Sequence, residues 1–286
     1  MAESLLYIKN RIQAVESIKK ITKVMKLIAS SKYNKFKAQY DGNIEYTNEL
    51  EKMMNYCLTY IDFSSYNLPT CLRENNGDKK LFILVSNTLG LCGPYFYNLL
   101  KIVNKEIKPT DDIIFIGEKG YRAFKNRPNK RDKTFIDLLD KLTFDNVNKF
   151  RHYIDKLYRD SEYKSIYIIY TKYIDAMETK CVCKKLLPLS IDESKNIDSE
   201  PTFEGSSTIV ADLIVPHYLD ALIYHHLLES ALSEQVNRKN SMENATSSAN
   251  KLLYELNLLY NKVRQQKITE EMSEVSNGNL NSLNRF

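Results

Sequence analysis

At 286 residues the chain is long enough for one large or two modest domains. Its 8 Gly and 7 Pro, roughly 5% of residues against about 12% in ordinary usage, exclude collagen, flexible low-complexity chains and a turn-rich all-β sandwich. A 43% hydrophobic share with 20 Tyr and 11 Phe excludes global disorder, and a net charge of +5 falls short of the basic excess of a dedicated nucleic-acid binder.

The helix breakers divide the chain. Gly42 is alone in 1–68 and Gly278 is alone in 217–286, so the remaining glycines and all the prolines fall between 69 and 216. The expected organisation is an N-terminal coiled-coil helix over 1–68, a central α/β head domain over 69–207, and a C-terminal coiled-coil helix with its tail over 208–286. In the first segment Leu5, Ile8, Ile12, Val15, Ile18, Met25 and Ile28 recur mostly three or four apart, which predicts one helical stripe. It continues through Tyr33, Phe36 and Tyr40 and resumes after Gly42 at Leu50, Met54 and Leu58. A helix of about 55 residues would run roughly 80 Å, wider than a globular domain of this size. Residues 17–40 hold Lys19, Lys20, Lys23, Lys26, Lys32, Lys35 and Lys37 with no Asp or Glu. A solvated face normally mixes both signs, so this run reads as a surface for an acidic partner; nucleic acid fits less well, because no stacking platform or reading motif accompanies it.

The middle segment alternates element types. Apolar runs at 81–85, 112–116 and 165–171 read as buried strands, 95–108 and 145–159 as helices, and 180–189 as an added edge strand. Strand, helix, strand, helix, strand predicts a mainly parallel, Rossmann-like sheet, with 190–207 as a surface loop. The turn from Asn87 to Pro94 sits where a phosphate-binding loop would be expected, but it has only Gly90 and Gly93 and lacks the Lys-Ser/Thr pair or third glycine of known loops. It therefore reads as a tight strand-to-helix turn, and no cofactor is expected.

In the last segment Met242, Ala245, Ala249, Leu252, Leu256, Leu259 and Val263 alternate steps of three and four, the seam of a left-handed coiled coil. Its helix should begin near Ser207 or Thr208 and end near Val275, with Pro216 able to kink its first turns. Winding the two long helices around each other antiparallel is the simplest way to bury both stripes. The adjacent His225 and His226 should point about 100° apart, too far for one shared metal, so no metal is expected. Five cysteines without a C-x-x-C pair read as buried thiols of a reducing compartment. No run is apolar enough to span a bilayer and no signal-like segment follows Met1, so the chain reads as soluble and unsecreted. No catalytic arrangement can be assembled from spacing. Spacing and charge alone lead to a non-catalytic coiled-coil interaction protein binding an acidic partner or nucleic acid, with a nucleotide-dependent α/β enzyme as the competing class.

Ile8-Lys-Asn-Arg-Ile12 and the run from Ile18 to Lys32 closely resemble the N-terminal helix of the gamma subunit of F-type ATP synthases. Gly90-Leu-Cys-Gly93 resembles that family's central motif, and the stretches 228–234, 242–246, 259–265 and 268–271 resemble its C-terminal helix. Pro94 after the glycine turn, the drifted central sequence and the Asn-rich tail depart from the pattern. The resemblance implies a central rotor stalk threading a ring of alpha and beta subunits. Its α/β domain would lie against an epsilon-type subunit and the membrane c-ring, one copy per complex. It would transmit torque and so regulate ATP synthesis and proton flow, doing no chemistry itself. It implies a peripheral membrane position, on the cytoplasmic face of the bacterial inner membrane or on the matrix side of the mitochondrial inner membrane. It also implies that Lys23, Met25, Lys26, Arg238, Arg264, Gln265, Thr269, Glu271 and Glu274 touch the surrounding ring.

Overall fold

The computed structural model describes residues 5–59, 70–160, 163–189 and 207–283. In chain order the elements are α1 (Leu5–Thr59), a 3₁₀ turn (Thr70–Leu72), β1 (Lys79–Val85), α2 (Tyr95–Glu106), β2 (Asp112–Ile116), α3 (Glu118–Ala123), β3 (Arg131–Asp132), α4 (Phe144–Arg159), β4 (Tyr163–Tyr173), β5 (Thr179–Leu187) and α5 (Ser207–Leu283). Helix α1 passes through Gly42 without a break, and a Cβ placed there would meet nothing within 4 Å. Helix α5 starts at the expected serine, carries Pro216 internally and continues past Val275. The loop expected over 190–207 lies, up to residue 206, outside the described residues. By compactness the chain forms two units, Met1–Ile28 with Lys239–Phe286, and Ala29–Arg238; α1 and α5 contribute to both.

In the unit Ala29–Arg238 the strands order as β3-β2-β1-β4-β5. Strand β1 pairs parallel with β2 and β4, and β5 closes the edge antiparallel to β4. Two-residue alternation sends the two faces of β1 into different layers. Leu81, Ile83 and Val85 pack with Val147, Phe150 and Ile154 of α4 and with Leu219, Ile223 and Leu227 of α5. Phe82 and Leu84 pack with Leu99 and Val103 of α2 and with Phe124. Because both faces are covered, β1 and β2 read as unbroken apolar runs. Each such buried side chain contributes about 1.5–3 kcal/mol by leaving water. The sequence reading did not anticipate α3 and β3.

One polar tie joins α4 to α5 inside this unit. The Asp220 side chain is 1% exposed; its Oδ1 accepts from Arg151 Nε at 2.8 Å and its Oδ2 from Asn148 Nδ2 at 2.8 Å. Arg151 also bonds Asp155. Burial raises the Asp155 carboxyl, Arg151 pulls it back, and the balance leaves it above its usual range. Directly after β2, Gly117 has a φ of 94°, and a Cβ there would fall 2.0 Å from the carbonyl oxygen of Ser86 at the end of β1. Only glycine fits that approach.

In the unit Met1–Ile28 with Lys239–Phe286, the helices α1 and α5 run antiparallel. Ile8 and Val15 are buried with Ala249 and Leu256, Thr246 Oγ1 donates to Thr22 Oγ1 at 2.9 Å, and Lys26 meets Glu243, so rising numbers on α1 meet falling numbers on α5. The seam departs from the apolar stripe. From Ile8, Ile12 and Val15 the buried and half-buried positions continue at Lys19, Thr22 and Lys26, alternating steps of four and three. Ile18, by contrast, is 53% exposed and Ile28 48%. Two successive steps of three carry Ile18 about 100° away from position 19, and helix pitch overrides side-chain polarity. On α5 Leu259 turns outward and Tyr260 packs inward.

Candidate partner-binding surfaces

The phase of this seam leaves a band of apolar side chains on α1 facing solvent. Ile18, Ile21, Val24, Leu27 and Ile28 are each about half exposed or more, with the exposed Lys20 and Lys23 among them. Contiguous exposed apolar groups beside charge mark an interaction surface. Met25, expected at the seam and at the partner surface together, is half-buried.

The lysine run divides by environment. Lys26 Nζ donates to Glu243 Oε1 at 2.8 Å, and that bond, with the lysine's charge, holds the Glu243 carboxyl below its usual range. Lys37 pairs with Asp41. Lys23 remains exposed and forms no ion pair among the described residues.

Arg264, Gln265, Thr269, Glu271 and Glu274 all lie exposed on the last turns of α5. Gln265, Thr269 and Glu274 line one shallow open groove with Lys262 and Glu270; Gln265 shares a helical face with Thr269, and Glu270 with Glu274, each pair being four apart. Thr269 Oγ1 is turned back to the Gln265 carbonyl at 2.9 Å, and Glu271 lies 3.9 Å from Lys267. Lys26 meets Glu243, roughly 20 residues before Arg264, which separates the two groups by about 30 Å of helix. The candidate residues thus fall in two separate zones rather than one.

Arg238 stands apart from both. It is buried in the unit Ala29–Arg238, donating to Glu234 Oε1 at 2.6 Å and to Gln235 Oε1 at 3.2 Å. Its Nη2 also reaches the Leu89 and Gly90 carbonyls at 3.5 Å, the long limit of hydrogen bonding. Burial raises the Glu234 carboxyl, and Arg238 counters it without restoring the usual range. The turn between β1 and α2 therefore offers carbonyls to a cation of its own chain, whereas a phosphate-binding loop offers N–H groups. Leu91, with φ 67°, and Gly93, with φ 55°, make the tight reversal that the glycine spacing predicts.

The histidine pair corrects the sequence reading. His225 and His226 do diverge from α5, but both rings turn toward Glu229. His225 Nε2 lies 3.7 Å and His226 Nδ1 3.6 Å from Glu229 Oε2, and one ligand atom of each residue lies within 4.8 Å of the other two. The one-turn spacing from 225 to 229 was the signal in the sequence that could have found this.

The family model described as ATP synthase matches residues 4–280. The chain is 32% identical over 282 residues to the ATP synthase gamma chain of Clostridium pasteurianum, covering 97% of this chain and 98% of that one. To the ATP synthase gamma chain of Mycoplasma mobile it is 33% identical over 289 residues, covering 97% and 98%. Among solved structures, a chain of the Euglena gracilis mitochondrial ATP synthase OSCP/F1/c-ring assembly shares the fold. Its TM-score is 0.64 at 17% identity, with 98% of this chain and 94% of that chain covered. Among the described residues, no helix is long and apolar enough to cross a membrane.

Proposed function

This chain belongs to the ATP synthase gamma-chain family, and on that premise we propose that it is the turning shaft of an F-type ATP synthase. It carries torque between a membrane c-ring and a catalytic ring of alpha and beta subunits, with an epsilon-type subunit beside it. It is present as one copy and performs no chemistry itself. The observation that supports this most directly is the exposed apolar band on α1 from Ile18 to Ile28. Five large apolar groups facing water on one helix call for a protein collar, and apolar contact is non-directional, so it lets a shaft slip where fixed polar bonds would hold it. Different faces at different azimuths bias each catalytic subunit differently as the shaft turns. The bacterial gamma-chain relatives favour the cytoplasmic face of the bacterial inner membrane over the matrix side of the mitochondrial one, with the chain held peripherally. A nucleic-acid partner is not favoured, since Lys26 and Lys37 already have acidic partners in the chain.

Lys23 and Lys26 have different environments, and that difference supplies the test. Lys23→Glu in the complex assembled with alpha and beta subunits and the c-ring should lower protons pumped per ATP hydrolysed by about twofold or more, within the 0–1 kcal/mol of an exposed charge contact. The helix content of the isolated chain should not change. Lys26→Glu faces Glu243 across the seam, so it should also lower the melting temperature. Pumping unchanged by Lys23→Glu would return this lysine to an ordinary solvated face.

A further inference from the structure

In the unit Ala29–Arg238, residues 225–229 of α5 gather three metal-ligating side chains that the shaft function does not use. We propose that His225, His226 and Glu229 form a binding site for a divalent transition-metal ion of the zinc class, a role separate from torque transmission. The spacings support coordination over direct hydrogen bonding. Glu229 Oε2 is 3.6 and 3.7 Å from the two imidazole nitrogens, longer than the roughly 2.7–3.2 Å of an N–H···O bond. With metal–ligand bonds of about 2.0–2.1 Å, the edge of a tetrahedral site is about 3.4 Å. One ion seated between the groups would satisfy all three atoms after a small closure.

The surroundings fit the same ligand. The His226 side chain is 3% exposed, and its Nδ1 is buried without a hydrogen-bond partner, an arrangement that costs free energy unless something occupies it. Each ring turns one nitrogen toward Glu229 Oε2, and an imidazole nitrogen is the commonest metal ligand. Tyr40 of α1 donates to Glu229 Oε1 at 3.3 Å, which leaves Oε2 for the histidines. A hydrogen bond of this kind to a ligating carboxylate fixes its orientation. The Tyr40 ring stacks on His225 at 5.3 Å and that of Tyr170 on His226 at 4.6 Å, fixing both imidazole planes. Lys172 of β4 and Lys184 of β5 add positive potential here. That potential opposes every divalent ion alike, and it is the two imidazole nitrogens that disfavour the oxygen-seeking Ca²⁺ and Mg²⁺ and select a metal that bonds to nitrogen. The side chain of His225 is 18% exposed and opens the site to solvent, the source of a fourth ligand.

The test is titration of the purified full chain, stripped with chelator, with zinc by calorimetry and with cobalt(II) by visible absorption. The expected result is one equivalent bound, with the intense visible bands of four-coordinate cobalt bound by nitrogen and oxygen. His225→Gln and Glu229→Gln should each weaken binding at least about tenfold, and Tyr40→Phe by about tenfold through loss of its hydrogen bond to Glu229. His152→Gln and His217→Gln should leave it unchanged. His225 is half-buried, and unchanged circular dichroism of His225→Gln would exclude loss of fold as the cause. Absence of stoichiometric binding, binding indifferent to His225→Gln, or a thiolate-to-cobalt band placing the metal on cysteine would overturn the site.

Discussion

Asp220→Ala lowers the stability of the isolated chain by about 3 kcal/mol or more, read as a drop in the urea midpoint at unchanged slope. The carboxylate is almost wholly buried and holds both Arg151 and Asn148 at 2.8 Å. Without it, Arg151 keeps only Asp155 and the neighbouring His152 ring, which lies 3.0 Å from its Nη2. A guanidinium cannot shed its charge, so the buried cation stays partly uncompensated. Asp220→Asn keeps one acceptor and the shape, and should cost less, about 1–2 kcal/mol. Equal losses from the two variants would mean that packing alone explains the effect. Because the tie joins α4 to α5, its loss should destabilise the unit Ala29–Arg238 as a whole.

Simultaneous replacement of Arg264, Thr269 and Glu271 by alanine weakens assembly with the alpha and beta ring by up to about 100-fold and uncouples proton pumping from ATP hydrolysis. All three are exposed, and an exposed ion pair or polar contact contributes about 0–1 kcal/mol. Three together reach about 3 kcal/mol, where every 1.4 kcal/mol is tenfold. Each single variant should therefore cost less than about fivefold. Contacts that must break as a shaft turns are individually weak. Thr269 must also release the Gln265 carbonyl to reach a partner. A triple variant that assembles and pumps like the parent would mean that torque passes through the apolar band instead.

The elements that packing dictates were legible in the sequence. Strands β1, β2 and β4 show as continuous apolar runs because helices cover both faces of the sheet, and β5 shows as an edge because lysines punctuate it. The two long helices announced themselves by missing breakers. What escaped was set by geometry rather than composition. Following hydrophobic residues put Ile18 and Ile28 on the seam, whereas the heptad period puts Lys19, Thr22 and Lys26 there. The lysine stems and the threonine pair tolerate that position, so polarity gave no warning. Arg238 reads as a surface cation along the chain and is buried only because Glu234, one turn earlier, and the carbonyls after β1 enclose it. Strand β3 has two residues and α3 six, too short for any periodicity to register. The convergence of His225 and His226 depends on side-chain torsions that helix angles do not specify.

Rotation is the central claim, and its most direct measurement is the motion of a probe carried by this chain in an assembled complex. Tyr97 is 64% exposed on α2, so Tyr97→Cys offers a labelling site, while the native cysteines are buried or half-buried. With the catalytic ring fixed to a surface, a bead or fluorophore at position 97 should turn in one direction while ATP is hydrolysed and stop when ATP is withdrawn. ATP hydrolysis at the full rate with the probe stationary would contradict the account.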